Sequence, residues 1–203
     1  MPPSDADRRL LTASAAGDAA AVRAALADGA DPDARDAAGS PALMLATVAR
    51  SADVVAALID AEADVDAQDA ERFTPFLYAG AEGLLDILTL ANDAGADPAI
   101  TNRYGGVALI PASERGHVEV VRYLLSETDV DVDHVNDLGW TALLEAILLS
   151  DGGPRHQEIV RLLIENGADV DQADGAGVRP LAHARARGQS EIVALLEAAG
   201  ATP

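Results

Sequence analysis

The chain has 203 residues and a formal net charge of −20, because 34 acidic side chains outnumber 14 basic ones. A field of this sign repels phosphate backbones and anionic lipid surfaces, which argues against nucleic acid or a membrane as the partner. The lack of cysteine excludes disulfides, thiolate nucleophiles and zinc–cysteine sites. Because no apolar leader and no run of about 18 apolar residues is present, a cytoplasmic protein is expected.

Two short phrases recur along the chain with a nearly fixed period. Variants of GADVD begin at steps of 33, 33, 34, 38 and 33 residues: at Gly29, Glu62, Gly95, Asp129, Gly167 and Gly200. The second phrase keeps the same spacing: PAL at Pro41, TPFLYA at Thr74, VALIPA at Val107, TALLEA at Thr141 and RPLAHA at Arg179. Units of this length bury their apolar faces only by stacking on one another, so the period predicts a solenoid.

The first three units already show the pattern and its departures. The first begins DADRRLLTA at Asp5 and lacks the TPL phrase, as a capping repeat would. The second carries Glu62 where a glycine should end the helix, at a cost of about 1 kcal/mol if Glu62 is left-handed.

In the third unit, the sequence predicts a helix capped by Thr74 that ends at Gly83. A second helix over residues 84–94 should end at Gly95. Ala91 and Asn92 replace two large aliphatic residues there, so we expect this repeat to be the least stable.

The last three units repeat the pattern with two further departures. The fifth has five extra residues between its helices, Asp151–Arg155, which predict an inserted loop. The sixth carries Arg185 and Glu197 at positions that are apolar elsewhere, which predicts a polar closing face.

These phrases and their period resemble the ankyrin repeat, over roughly residues 5–201. The phrases NRYGG and GWTALLEA are similar to those of bacterial ankyrin proteins. The resemblance implies an all-α ankyrin-repeat solenoid of about six helix-turn-helix repeats with short β-hairpin-like turns. It implies a single domain over residues 5–203, with repeats at approximately 5–35, 36–68, 69–101, 102–135, 136–173 and 174–201.

No pattern of residues predicts catalysis or a cofactor. Asp129, Asp131 and Asp133 form a DxDxD phrase, but a calcium loop would need glycine and glutamate where His134 and Trp140 stand. The histidines show no metal-ligand spacing, and no phosphate-binding loop or nucleophile motif is present. We therefore expect no enzyme activity, no metal and no cofactor.

Candidate partner-binding residues follow from the ankyrin resemblance, which implies that turn tips and first helices form a concave binding groove. Trp, Tyr and Arg, which predominate in interface hot spots, gather at neighbouring tips. The inserted loop adds an arginine beside a histidine. The alternatives are that the phenylalanine and tryptophan only pack between tips, and that the insertion is a neutral change of length. The candidates are Phe73, Arg103, Tyr104, Leu138, Trp140, Glu145, Arg155 and His156.

The sequence thus favours a non-catalytic, monomeric scaffold that binds a partner protein by rigid docking on its groove. Two alternatives stay open. One is a small-ligand or enzymatic site around Tyr104, Glu145 and His156, and the other is a self-associating structural module.

Overall fold

The structure is a computed structural model that describes residues 4–202. Met1–Pro3 and Pro203 lie outside the described residues, and with them the last residue of the domain expected over residues 5–203. Between residues 4 and 202 there is no β-strand, only an isolated bridge between Arg35 and Pro41. The regular structure consists of α1 (Asp5–Ala16), α2 (Ala19–Ala27), α3 (Ala42–Val48), α4 (Ala52–Asp60), α5 (Pro75–Glu82), α6 (Leu85–Asp93), α7 (Leu109–Glu114), α8 (Val118–Glu127), α9 (Ala142–Leu148), α10 (Pro154–Glu165), α11 (Pro180–Ala186) and α12 (Ser190–Ala198). The all-α fold of six helix pairs is therefore confirmed.

The chain divides into two compact units. The first contains the residues up to Ala79 together with Leu84–Arg103, and the second contains Gly80–Gly83 and the residues from Tyr104 onward. Within the first unit α1 packs on α3, while α4 packs on both α2 and α6. Within the second, α9 packs on α7 and α11, while α10 packs on α8 and α12. First helices thus stack on first helices and second helices on second helices.

The third repeat shows how local signals fix the helix ends. The Oγ1 atom of Thr74 accepts the N–H of Leu77 at 3.1 Å, which satisfies one of the free donors at the start of α5. Gly83 follows α5 with a φ of 72°, and Gly95 follows α6 with a φ of 89°. The predicted cap and both predicted glycine stops are confirmed. Glu62 also adopts the predicted left-handed conformation, with a φ of 62°.

Four of the turn tips are closed by a short polar side chain. The Oδ1 atom of Asp36 accepts the N–H groups of Ala38 and Ser40, both at 2.9 Å, while the Asp36 N–H donates to the Ser40 carbonyl at 3.0 Å. Asp69, Asn136 and Asp174 close their turns in the same way. These bonds produce the expected hairpin-like turns and account for part of the acidic composition.

A second set of aspartates connects the turns of consecutive repeats. The Oδ1 atom of Asp33 accepts the backbone N–H of Asp64 at 2.8 Å. Each such carboxylate satisfies a backbone donor of the following repeat, and we call the set the aspartate ladder. The same bond is made by the pairs Asp66–Asp97, Asp133–Asp169 and Asp171–Thr202. Asp7 of α1 accepts the N–H of Asp31 in a similar way within the first repeat.

The core consists mostly of alanine and aliphatic side chains. One buried position in the second helix of each repeat holds Leu124 in α8 and Leu163 in α10, but Ala91 in α6. All three residues are fully buried, so α6 contributes a smaller apolar side chain to its unit.

In the last repeat, Arg185 and Glu197 form an ion pair of 2.7 Å with both side chains about half exposed. This is the polar face predicted for the sixth repeat.

The insertion in the fifth repeat differs from the prediction. Gly153 is the N-cap of α10, Pro154 is its first residue, and Arg155 and His156 lie in the first turn. α10 has 12 residues against 10 in α8, so the extra residues partly lengthen the helix. The expected loop over Asp151–Arg155 is therefore wrong at its C-terminal end. Proline at the first position of a helix costs no hydrogen bond, and its fixed φ suits the helix.

Candidate functional site

The tip of the fifth repeat is a tightly bonded turn over residues 136–140. The Asn136 N–H donates to the Trp140 carbonyl at 3.0 Å, and Gly139 has a φ of 77°, which allows the chain to reverse. The Oδ1 atom of Asn136 accepts the N–H groups of Leu138 and Trp140, at 3.0 and 3.1 Å. Because these bonds hold the turn in one conformation, its side chains lose little conformational entropy on binding.

The tip of the fourth repeat contacts this turn through its backbone. The Asp137 N–H donates to the Tyr104 carbonyl at 2.9 Å, and Nε2 of His134 donates to the Gly105 carbonyl at 2.7 Å. Gly105 has a φ of 71°, and a Cβ atom there would lie 2.5 Å from Oδ1 of Asp137. A side chain at this position would have to adopt a strained positive φ and displace the Asp137 carboxylate, so glycine is favoured at this contact.

Large apolar side chains concentrate on these two tips. Tyr104 is 55% exposed and Leu138 is 60% exposed. Trp140, two residues from Leu138, is half-buried. We call Tyr104, Leu138 and Trp140 the tip surface. Trp140 is thus partly packed against the protein, which agrees with the packing alternative.

The two candidates of the first unit make contacts of their own. Phe73 is half-buried and meets Tyr78 edge to face, with ring centroids 6.0 Å apart and planes at 86°. Such an arrangement is favourable for aromatic pairs. Arg103 is exposed and forms an ion pair with Glu71. Phe73 is therefore partly packed, which agrees with the packing alternative.

Glu145, the candidate in α9, is only 5% exposed. Its Oε1 accepts the Nδ2–H of Asn136 at 2.8 Å. Burial raises the pKa of the Glu145 carboxyl to about 7, and the negative charge of Glu114 adds to this effect, while the Asn136 hydrogen bond opposes it. Asn136 therefore connects this buried carboxyl directly to the tip surface.

Arg155 and His156 are placed by α10. The Nε2 of His156 donates to the Glu114 carbonyl at 2.9 Å, and its Nδ1 lies 4.0 Å from Oδ1 of Asp151. His117 makes the equivalent bond to the Ala81 carbonyl at 3.1 Å. Both histidines thus connect adjacent repeats through a backbone carbonyl. Arg155 is exposed beside His156.

No group of three or more histidine, aspartate or glutamate side chains that could hold a metal ion occurs in residues 4–202. Nor is any helix of the described residues long and apolar enough to cross a membrane. Ring nitrogens of His117, His134 and His156 are used in hydrogen bonds to backbone carbonyls.

Comparison with known sequences identifies the family. Residues 10–102 and 82–174 match the family model for ankyrin repeats in three copies. The chain is an ankyrin-repeat protein. Ankyrin-repeat domains generally serve as protein-interaction modules, and the family is typically non-catalytic.

Solved ankyrin structures are similar over nearly the whole chain. An ankyrin repeat domain from Acinetobacter baumannii AYE, ABAYE2397, is 51% identical with a TM-score of 0.92, and the match covers 95% of this chain and 98% of that one. The ankyrin repeat protein EF0377 is 38% identical with a TM-score of 0.91, over 94% and 97% of the two chains. The ankyrin repeat domain of Bcl-3, a member of the IkappaB family, is 26% identical with a TM-score of 0.86, over 98% and 89%.

Among curated proteins, the ankyrin repeat protein YahD of Escherichia coli K12 is 52% identical over 99 residues. That match spans 49% of this chain and 49% of YahD, so the aligned part is about half the length of this relative. The similarity supports a bacterial type of ankyrin protein.

Three residues of this site, Asn136, Glu114 and Val135, were not identified from the sequence. Asn136 holds the tip and binds Glu145, and Glu114 brings a second carboxyl near it. A sequence signal existed, because Asn136 precedes Glu145 by nine residues, as Asp174 precedes His183. Comparing residues nine positions apart in each repeat would have indicated a pair. Val135, which is also exposed, was missed for lack of any distinguishing pattern.

Proposed function

We propose that this ankyrin-repeat protein is a non-catalytic interaction module whose second unit binds a partner protein on the tip surface. The observation that carries the proposal is the exposure of Tyr104 and Leu138 on two tips joined by the bond between Asp137 and Tyr104. Exposed apolar side chains on adjacent, rigid segments form a contact area that is already ordered before binding.

The distribution of exposed apolar side chains supports this choice of surface. Five large apolar side chains are exposed among residues 4–202, and only Val48 belongs to the first unit. The other four, all in the second unit, are Tyr104, Val135, Leu138 and Leu149. A tyrosine and a half-buried tryptophan on neighbouring tips also have the composition of an interface hot spot.

Charged residues complete the proposed site. Arg155, exposed in the first turn of α10, contributes a basic contact in the second unit, and His156 holds that turn on the Glu114 carbonyl. The acidic surface steers partners of opposite charge and affects the association rate more than the final affinity.

The test compares partner capture by the unmodified protein and by the double variant Tyr104→Ala, Leu138→Ala. A partner recovered by the first should bind the second at least about tenfold more weakly in calorimetry, as expected for the loss of hot-spot side chains. The matched control is Val48→Ala, which removes an exposed apolar side chain from the first unit and should leave affinity unchanged. Equal affinity of all three proteins would refute the proposed surface. Light scattering over a tenfold concentration range separates partner binding from self-association.

A further inference from the structure

Glu145 occupies a position that is not acidic in any other copy of the repeated phrase. The corresponding residues are Leu45, Tyr78, Pro111 and His183. Glu145 is nearly as buried as the apolar core, although an ionised carboxylate is costly to remove from water unless it is paired with a cation. A carboxyl at this position therefore needs a reason other than packing.

The sixth repeat shows how an acidic side chain is normally paired here. Asp174 accepts a hydrogen bond from Nε2 of His183 at 2.8 Å, so the acid meets a side chain that can carry positive charge. In the fifth repeat the acid is Glu145 and its donor is Asn136, a neutral amide, at 2.8 Å. The Glu145 carboxyl thus receives one hydrogen bond and no neighbouring positive charge.

The second oxygen of this carboxyl is available to a ligand. Oε2 of Glu145 has no donor among the described residues, and it is not one of the fully enclosed polar atoms. Glu114, at the end of α7, adds a second negative charge close by. A carboxylate oxygen without a donor, near a second negative charge, matches the charge and the donor groups of a guanidinium or ammonium group.

Among the described residues, no cationic side chain of the protein forms an ion pair with Glu145. α9 packs on α7, α10 and α11. On α7, Arg115 is paired with Glu82, and on α10, His156 is bonded to the Glu114 carbonyl. On α11, Arg187 donates to the Ser150 carbonyl, while His183 is paired with Asp174 as described. Glu114 is the charged side chain that acts on Glu145.

We propose that Glu145, assisted by Glu114, accepts an arginine or lysine side chain of the partner segment that docks on the tip surface. The inference rests on the proposed function, since Asn136 joins Glu145 to the turn that carries Leu138 and Trp140. The partner segment would therefore present a basic side chain next to its apolar contacts. This defines the partner by chemistry, as a basic and apolar peptide segment.

Binding of a cation should depend on pH in a predictable direction. The cation binds the ionised carboxylate, and the pKa of Glu145 is raised to about 7. Affinity should therefore rise about tenfold between pH 6 and pH 8 and then level off, because the ionised fraction grows by about that factor. Glu145→Gln should remove this dependence and leave any contribution from the histidines in place.

The experiment selects peptides from a random displayed library at pH 8 on the unmodified protein. Only the peptides that do not bind the double variant Tyr104→Ala, Leu138→Ala are kept. Each peptide is then made with its basic residue and with glutamine in its place. We expect Glu145→Gln to weaken the basic peptide about tenfold and to leave the glutamine peptide unchanged. Glu191→Gln, an exposed acid of α12 with the same loss of charge, is the control and should change neither.

The outcomes separate the two proposals. The first case is that the selected peptides require Tyr104 and Leu138 for binding and yet contain no basic residue, or bind Glu145→Gln with unchanged affinity. Either result overturns the cation site and leaves the proposed function standing. A selection without any binder that depends on Tyr104 and Leu138 overturns the proposed function, and the cation site with it. Equal weakening by Glu145→Gln and Glu191→Gln would show a general charge effect and also contradict the site.

Discussion

The Oδ1 atom of Asp66 accepts the backbone N–H of Asp97 at 3.0 Å and so ties the turn after the second repeat to the turn after the third. We expect Asp66→Ala to lower the free energy of unfolding by about 1 kcal/mol, because the Asp97 N–H loses its acceptor. Urea denaturation measures this. Asp93→Ala, which removes an exposed acid of α6, should cause no such loss. Equal effects would show that overall charge, and not the aspartate ladder, determines the change.

A second prediction concerns Glu62, which holds a φ of 62° after α4. A side chain in this region is strained, so Glu62→Gly should raise the free energy of unfolding by about 1 kcal/mol. Gly95→Ala is the reciprocal test, because Gly95 has a φ of 89° and a new Cβ would meet no atom within 4 Å. It should lower the free energy of unfolding by a similar amount. Loss of stability in Glu62→Gly would contradict the strain argument.

The pH dependence of stability gives a third prediction. The pKa of Glu145 is raised from 4.5 in the unfolded chain to about 7 in the folded protein, first of all by burial. The folded state therefore holds the proton more tightly, so this contribution is complete below pH 4.5 and is lost as the pH rises to about 7. The difference corresponds to about 3 kcal/mol.

Glu145→Gln tests this dependence. The variant cannot ionise, so its free energy of unfolding should fall less than that of the unmodified protein between pH 5 and pH 8. Glu191→Gln should parallel the unmodified protein. Chemical denaturation at several pH values provides the measurement, and parallel curves for all three proteins would exclude a costly buried carboxylate at this position.

Hydrogen exchange provides a fourth prediction. Ala91 and Asn92 of α6 stand where α10 has Leu163 and Ile164, and Ala91 fills a fully buried position. The smaller apolar area should make α6 open more readily than α10, by roughly 2 kcal/mol on the basis of buried surface. Amide exchange detected by mass spectrometry compares peptides from the two helices. Equal protection would contradict the prediction.

The fold was predictable because its determinants are local and repeated. Thr74, Gly83 and Gly95 act within a few residues of their position, and six copies of the same signals reinforce one another. The lengthening of α10 was missed because a glycine pair followed by proline is compatible with a loop and with a helix start.

The site was harder to predict than the fold, because exposure depends on contacts between repeats. The partial burial of Phe73 and Trp140 could not be read from their position in the turn. Likewise, the closure of Asn136 on Glu145 requires knowing that residues nine positions apart meet in space. The exposure of Tyr104 and Leu138 followed correctly from their positions at the tips.

The longer α10 has a consequence for how a partner finds its place. A stack of similar repeats offers nearly identical binding positions at each step, and a partner that recognised only the common features could bind in several registers. The longer N-terminal end of α10, which carries Arg155, distinguishes the fifth repeat from the other repeats of the second unit. A partner that contacts both this end of α10 and the tip surface can bind the second unit in one register only. No other repeat of the second unit presents both features.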